Sequence, residues 1–469
     1  MKRALTPLLL LGLAGCALGP DYKRPDVSVP RGYRVPDPQP PPSDAASLAD
    51  TPWFEVFQDE QLQRLIREAL VNNYDLRDAM TRVDAARAVV GITRSNQFPN
   101  AGASGSVNFN RLSRTGATNI PSTVLPDQNR TYGSAALNLL SFEVDLWGKW
   151  RRASEAARAE LLGAEENRKT VATVLVSDLA TAYLTLCELD YALEISQRTL
   201  RTREASLELV KTRQGGGVAT MLDLRQAEQL VETAAQSIPV LQQQIEQTEN
   251  RISLLVAKNP NTVVRGRGFN QQTLPPEVPA GLPSSLMERR PDIRAAEQLL
   301  VSANARIGVA KAAYFPQLTL TGFLGGQSTQ LTSLFSGPGT AWSLVPQLSQ
   351  PIFTAGRLKG NVKLAEAQRQ GALIHYEKTI QVAFTEVSDA LIAHRRMRES
   401  RERQQALVNA LQDRTRLAYV RYRGGVDTQL NALDADRDLF QAELALASIR
   451  LGEMLTVVDL YKALGGGWK

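Results

Sequence analysis

Hydrophobic and polar positions along this chain fall into two long helical stretches, each preceded by short alternating segments. Residues 149–213 and 357–423 contain no proline. In the first, Leu175, Leu179, Ala182, Leu186, Leu189 and Leu193 step 4-3-4-3-4, the period near 3.5 of a coiled-coil seam. The glycines at 215–217 and 424–425 end the two stretches, because glycine readily takes the left-handed conformation that terminates a helix. Returning helices are predicted over 218–258 and 426–464, the first bent at Pro239. Shorter helices are predicted over 72–97 and 291–313. Phe98-Pro99 and Phe315-Pro316 stop them, since the residue before a proline is driven out of the helical region. Two strand-like segments follow each stop, 102–111 with 132–146 and 317–324 with 341–353. Alternation is plain in Leu318-Thr319-Leu320-Thr321 and in Trp342-Ser343-Leu344.

The plan is written twice. Asp75-Leu76-Arg77 precedes Phe98 by the same interval that separates Asp292-Ile293-Arg294 from Phe315, at an offset of 217. Further on, Gly148-Lys149 matches Gly356-Arg357 at an offset of 208, as do Gly216-Gly217-Val218 with Gly424-Gly425-Val426, and Thr220 and Leu222 with Thr428 and Leu430. Such constancy marks an internal repeat. A 65-residue helix spans about 98 Å, and the shorter and returning helices of the first half together span about 101 Å. Each half is therefore a helical hairpin roughly 100 Å long with two strands at its far end. The implied organisation is a signal peptide at 1–15, a lipid anchor and extended tether at 16–50, a first repeat at 51–260, an equatorial connection at 261–290, a second repeat at 291–464 and a tail at 465–469.

Four strands cannot close a barrel, and an open edge in lipid leaves polar backbone unsatisfied. Copies must share one barrel, two giving eight strands and three giving twelve. Periodicity alone does not choose between them.

Composition excludes several function classes. A net charge of +6 is spread over 469 residues, without the basic–aromatic patch of a nucleic-acid binder. Two histidines and two cysteines are too few for most metal sites, and no cofactor is implied. No run of about 18 apolar residues is apparent, so no membrane-spanning helix is expected. At the N-terminus, Lys2 and Arg3 precede an apolar run ending in Leu13-Ala14-Gly15-Cys16, a secretory signal. The tetrapeptide resembles a bacterial lipobox, with Cys16 as the lipidated first residue of the mature chain. Prolines at 36, 38 and 40–42 suit an extended tether.

Several segments together resemble the outer-membrane factors of TolC and OprM type, and the lipobox most resembles the OprM-like efflux lipoproteins. They are Gly19-Pro20-Asp21-Tyr22-Lys23-Arg24-Pro25, Leu282-Pro283-Ser284-Ser285-Leu286-Met287-Glu288-Arg289-Arg290-Pro291-Asp292-Ile293, Ala313-Tyr314-Phe315-Pro316-Gln317, Pro351-Ile352-Phe353-Thr354-Ala355-Gly356-Arg357, Tyr422-Arg423-Gly424-Gly425-Val426 and Leu460-Tyr461-Lys462-Ala463-Leu464-Gly465-Gly466-Gly467-Trp468. The resemblance implies an α+β membrane protein, a homotrimer with a shared 12-stranded outer-membrane β-barrel and a periplasmic α-barrel. An equatorial region would take in 51–68, 259–288 and the C-terminal segment. It implies a passive exit duct, not an enzyme. The partners would be outer-membrane lipid, a periplasmic adaptor and an inner-membrane pump of the resistance-nodulation-division class, without nucleic acid.

The resemblance also places a periplasmic gate at the second hairpin turn. Arg421 and Tyr422 fall at lock positions, and Leu430 and Asp434 at the constriction, one above the other on a helix face. Apolar rings exclude water from a pore and carboxylate rings attract cations. Asp427 and Asn431 depart from the pattern of TolC and weaken a salt-bridge lock copied from it. In the first hairpin Leu222 and Gln226 stand at the matching positions, so that hairpin lacks the acid. The turn glycines are Gly216, Gly217, Gly424 and Gly425.

Other signals read as structural. Cys187 is expected to be a small buried apolar residue. His394 matches seam residue Leu186, which favours packing or an interhelical hydrogen bond. Glu143 and Asp145 are expected to line a pore or an interface. The competing functions are a duct for type I protein secretion and a lipid-anchored coiled-coil scaffold without a pore.

Overall fold

The computed structural model describes residues 17–30, 32–34, 48, 51–111, 113, 123, 128–272 and 283–466. The signal segment, Cys16, most of 35–50 and Trp468 lie outside the described residues. In chain order the elements are α1 (Trp53–Val56), α2 (Glu60–Asn72), α3 (Tyr74–Ser95), β1 (Ala101–Arg111), β2 (Asn129–Val144), α4 (Lys149–Gly215), α5 (Met221–Leu255), α6 (Pro283–Arg289), α7 (Pro291–Ala312), β3 (Gln317–Ser328), β4 (Thr340–Ser349), α8 (Arg357–Arg423) and α9 (Gln429–Ala463). Both halves thus run helix, two strands, 67-residue helix and 35-residue helix. Helix α5 continues through Pro239.

The chain packs as two compact units. One comprises Met1–Pro25, Val83–Ala164 and Ala296–Tyr376; the other comprises Asp26–Arg82, Glu165–Ala295 and Glu377–Lys469. Each unit draws corresponding pieces from both halves.

The first unit holds one antiparallel sheet in the order β1-β2-β3-β4, so β1 and β4 are its edges. Its register separates two chemistries. Ala103, Leu137, Leu324 and Trp342 form one row across the sheet, and Ala101, Leu139, Gly322 and Leu344 another. Side chains alternate faces with period two, so both rows share a face. That face is uncovered, with Trp342 73% and Leu344 58% exposed. The opposite face carries Ser104, Ser106, Ser134 and Asn138, with Ser106 and Ser134 hydroxyls 2.8 Å apart and Asn138 Nδ2 donating to Ser104 Oγ at 2.8 Å. An irregularity between Leu139 and Phe142 resets the register, as a bulge does.

Where β2 meets α4, Asp145 accepts the backbone N–H of Trp150 at 3.1 Å and of Arg151 at 2.9 Å. Lys149 Nζ lies 2.8 Å from Glu143. Asp145 thus caps the start of a long helix, whose free N–H groups attract anions, and Glu143 is neutralised by the first residue of that helix. Residues 17–25 of the tether are fastened to the same unit. Leu18 N donates to Trp147 O at 3.1 Å, Arg152 Nε donates to Leu18 O at 3.1 Å, and Arg152 pairs with Asp21 at 2.6 Å. Arg24 pairs with Glu297 at 3.0 Å. The strap lies so close that a Cβ on Gly308 would stand 2.4 Å from Leu18 O.

In the second unit the predicted seam packs as expected, with Leu175, Leu179, Ala182, Leu186 and Leu189 buried. By length and composition α4 does contain one stretch apolar enough to cross a membrane, contrary to the reading of the sequence, but that stretch is mostly buried inside the protein. Cys187 is buried beside it, and burial pushes its thiol up to about 12. His394 Nδ1 lies 3.0 Å from Thr456 Oγ1, the interhelical bond its seam position predicts. Residues 267–272 are pinned through Asp59, which accepts Gln61 N, Leu62 N, Tyr183 OH, Arg267 N and Gln272 Nε2, all within 3.2 Å. Burial alone would push the Asp59 carboxyl up, yet the bonds from Gln272, Arg267, Leu62 and Gln61 outweigh it and hold it below the usual range. Its stabilisation is therefore complete above pH about 4 and is lost as pH falls through its lower folded value. Asp59→Ala removes a helix cap and orphans buried donors, a loss of roughly 3 kcal/mol. Thermal melting should show a lower midpoint for the variant at pH 7 and a gap that narrows below pH about 4; an equal midpoint at pH 7 would refute the assignment.

Candidate functional site

The two hairpin turns have one backbone solution. Val218 N donates to Arg213 O at 2.8 Å and Val426 N to Arg421 O at 3.1 Å, while Gly217 and Gly425 donate to Gln214 O and Tyr422 O. This is the Schellman closure of a helix end. It puts Gly217 at φ 71° and Gly425 at φ 72°, where a side chain would be strained. Gly216 and Gly424 continue the helical pattern, bonding to Thr212 O and Val420 O.

Beyond the glycines the turns differ. Thr220 and Asp223 form a full capping box that starts α5. At the matching place Thr428 makes no side-chain cap, because Asn431 stands where Asp223 would. Asn431 Nδ2 instead donates to Asp427 at 2.7 Å, Asp427 accepts Thr428 N at 2.8 Å, and Arg421 Nε reaches Asp427 at 2.9 Å. Arg421, with Asn431 and the Thr428 N–H, holds the Asp427 carboxyl down at about 2. Arg421 and Asp427 thus close an ion pair inside the second turn, braced by the Asn431 amide.

Tyr422 is 6% exposed and joins the second turn to the first. Its ring lies under the Arg213 guanidinium, 4.7 Å from the centroid, a cation–π arrangement. Its hydroxyl donates to Gln429 Oε1 at 3.3 Å, and Gln429 Nε2 donates to the Asp223 carbonyl at 3.3 Å. Leu430 is 48% exposed and Leu222 is exposed too; Gln226 is half-buried. Asp434 is half-buried and pairs with Arg437 at 3.0 Å. The candidate carboxylate therefore carries a guanidinium beside it. Tyr422 and Arg421 are brought together with the turn, while Leu430 and Asp434 present an open face of α9.

Four participants escaped the sequence reading. Arg213 is the repeat counterpart of Arg421, which is the signal that marks it. Gln429 and Arg203 have dissimilar counterparts, Met221 and Leu411, and the acid at Asp436 has the acid Glu228, so no local pattern reveals the three. Arg203 Nε bonds Asp436 at 2.7 Å, with both side chains buried.

Known proteins match along nearly the whole length. The sequence model of the family described as outer membrane efflux protein matches residues 65–258 and 282–466. The antibiotic efflux pump outer membrane protein ArpC of Pseudomonas putida is 40% identical over 97% of this chain and 93% of its own length. The solvent efflux pump outer membrane protein SrpC of Pseudomonas putida is 37% identical over 99% of this chain and 98% of its own. The open state of the MtrE outer membrane channel of Neisseria gonorrhoeae superposes with a TM-score of 0.86 at 31% identity, covering 97% of this chain and 99% of that one.

Proposed function

Because this chain belongs to the outer membrane efflux protein family, we propose that three copies close one barrel and gate it at the second hairpin turn. The protein is an outer-membrane exit duct of a tripartite efflux system, a conduit and not an enzyme, working with an adaptor and an inner-membrane pump. The observation that supports a barrel shared between copies is the sheet: one apolar face, one polar face, and outer strands β1 and β4 with no further partner strand among the described residues; the number three follows the family resemblance. Pairing β4 of one copy with β1 of the next satisfies both edges and turns the apolar face to lipid. Three copies give twelve strands.

The finer assignments follow from the same reading. A pump of the resistance-nodulation-division class supplies the energy. Cys16 carries the lipid anchor; the fastening of residue 17 and its neighbours beside Trp147 and Gly148 supports an anchor close to the sheet. The solute class is a drug or another small solute, and the relatives differ in this, one antibiotic and one solvent by name. Leu430 and Asp434 form the constriction. Asp434→Asn would leave Arg437 without that acid, so three copies should shift the pore from cation towards anion preference. Planar-bilayer recording of reversal potentials in a salt gradient reads this directly, and an unchanged reversal potential sinks the constriction assignment. Drug susceptibility in a deletion strain separates efflux from protein secretion, since a secretion duct would leave susceptibility unaltered.

A further inference from the structure

Below the turns, one buried contact ties the gating hairpin to the rest of the protein. Arg203 of α4 is 3% exposed. Its Nε reaches Asp436 of α9 at 2.7 Å, its Nη1 donates to the Leu230 carbonyl of α5 at 2.8 Å, and its guanidinium lies 4.9 Å from the Phe440 ring centroid. One side chain thus joins three helices, about 20 Å along α4 from the turn.

The contact is absent from the repeat. At the 208 offset Arg203 corresponds to Leu411, Asp436 to Glu228 and Phe440 to Glu232, and Glu228 pairs at the surface with Arg225. The duplicated plan therefore acquires this clamp only where the second hairpin meets the first. Asp436 lies two residues beyond Asp434, about 200° around the helix. The clamp and the constriction acid so occupy opposed faces of α9.

Strength separates this contact from those at the turns. Tyr422 to Gln429 and Gln429 to the Asp223 carbonyl are neutral bonds, both long at 3.3 Å. A buried charge whose partner is withdrawn suffers far more than a neutral group that regains water. The Arg421–Asp427 pair lies within the second turn and moves with it.

We propose that Arg203 is the positioning residue on which the second hairpin turns: the pair with Asp436 persists through opening while the turn contacts break. The proposal rests on the gate reading above. Hinges are local, and the segments beyond them move as bodies. Arg203 thereby keeps Leu430 and Asp434 aimed off the packed face of α9 as the turn swings.

The test is a pair of spin-label distances in magnetically diluted trimers. One pair, at Val218→Cys and Val426→Cys, reports the turns; the other, at Arg201→Cys and Gln441→Cys, reports the level of the clamp. Both are measured with and without Tyr422→Phe/Gln429→Leu, which removes the turn bonds. The expected result is a longer turn distance with an unchanged clamp distance. Lengthening of both overturns the pivot while leaving the gate. An unchanged turn distance overturns the gate and the pivot with it. In the same background Arg203→Met should lengthen the clamp distance and spread single-channel currents over several levels. Arg203→Met/Asp436→Leu, which buries no lone charge, should spread the currents as well, because the pair itself is gone; a single level in either variant overturns the proposal.

Discussion

Leu344→Arg should leave the outer membrane empty of assembled protein. Leu344 lies within β4, opposite Gly322, on the sheet's uncovered apolar face. An arginine facing lipid near the bilayer midplane costs about 2–4 kcal/mol per copy, so three copies cost about 6–12 kcal/mol. That is comparable to the whole stability of an ordinary domain. Gel migration of unheated outer-membrane extracts would show the loss of the oligomer. Ser343→Arg, one residue away on the polar face, should assemble, because that face meets water. If both variants assemble equally, the sheet does not face lipid as described.

The second large effect concerns the turns. Tyr422→Phe with Gln429→Leu removes two neutral hydrogen bonds per copy and keeps the ring under Arg213. At about 1 kcal/mol for each bond, three copies shift the closed state by about 6 kcal/mol. A shift near 5.5 kcal/mol is enough to invert a two-state population from 1:99 to 99:1. Single-channel recordings should therefore pass from rare openings to sustained conduction. Conductance and open fraction equal to the parent would show that the Tyr422 contact is packing alone.

The sequence was most legible where a pattern repeats locally. The long helices were predicted at 149–213 and 357–423 and are found at Lys149–Gly215 and Arg357–Arg423, because a coiled-coil seam and a glycine stop are both written along the chain. The returning helices start later than predicted, at Met221 and Gln429, since Thr220 and Thr428 take extended caps that look like first helical residues in a sequence. Strand β3 was cut short at 324 but runs to Ser328. It continues through Gly325 and Gly326, where a Cβ on Gly325 would stand 2.3 Å from Ala135 O, so close approach inside the sheet demands glycine there. The long helices' caps were half legible: Asp145 was noticed for its charge, not for the orphan N–H groups it would meet. Arg203 and Asp436 were invisible. A contact between residues so far apart leaves no periodicity, and only the failed match at Leu411 hinted at it.

The sheet also orders events in time. β1 and β2 are neighbours in the chain and can pair as soon as both exist, but Val144 must wait for Leu318 and Gly133 for Ser328. Pairings between distant segments form slowly, and the strands that await them stand exposed to wrong partners. A chain exported from its N-terminus therefore delivers a half-sheet with an open apolar face long before its completion. Shortage of periplasmic holdases should therefore deplete this protein sooner than one whose strands all pair locally, as outer-membrane extracts would show.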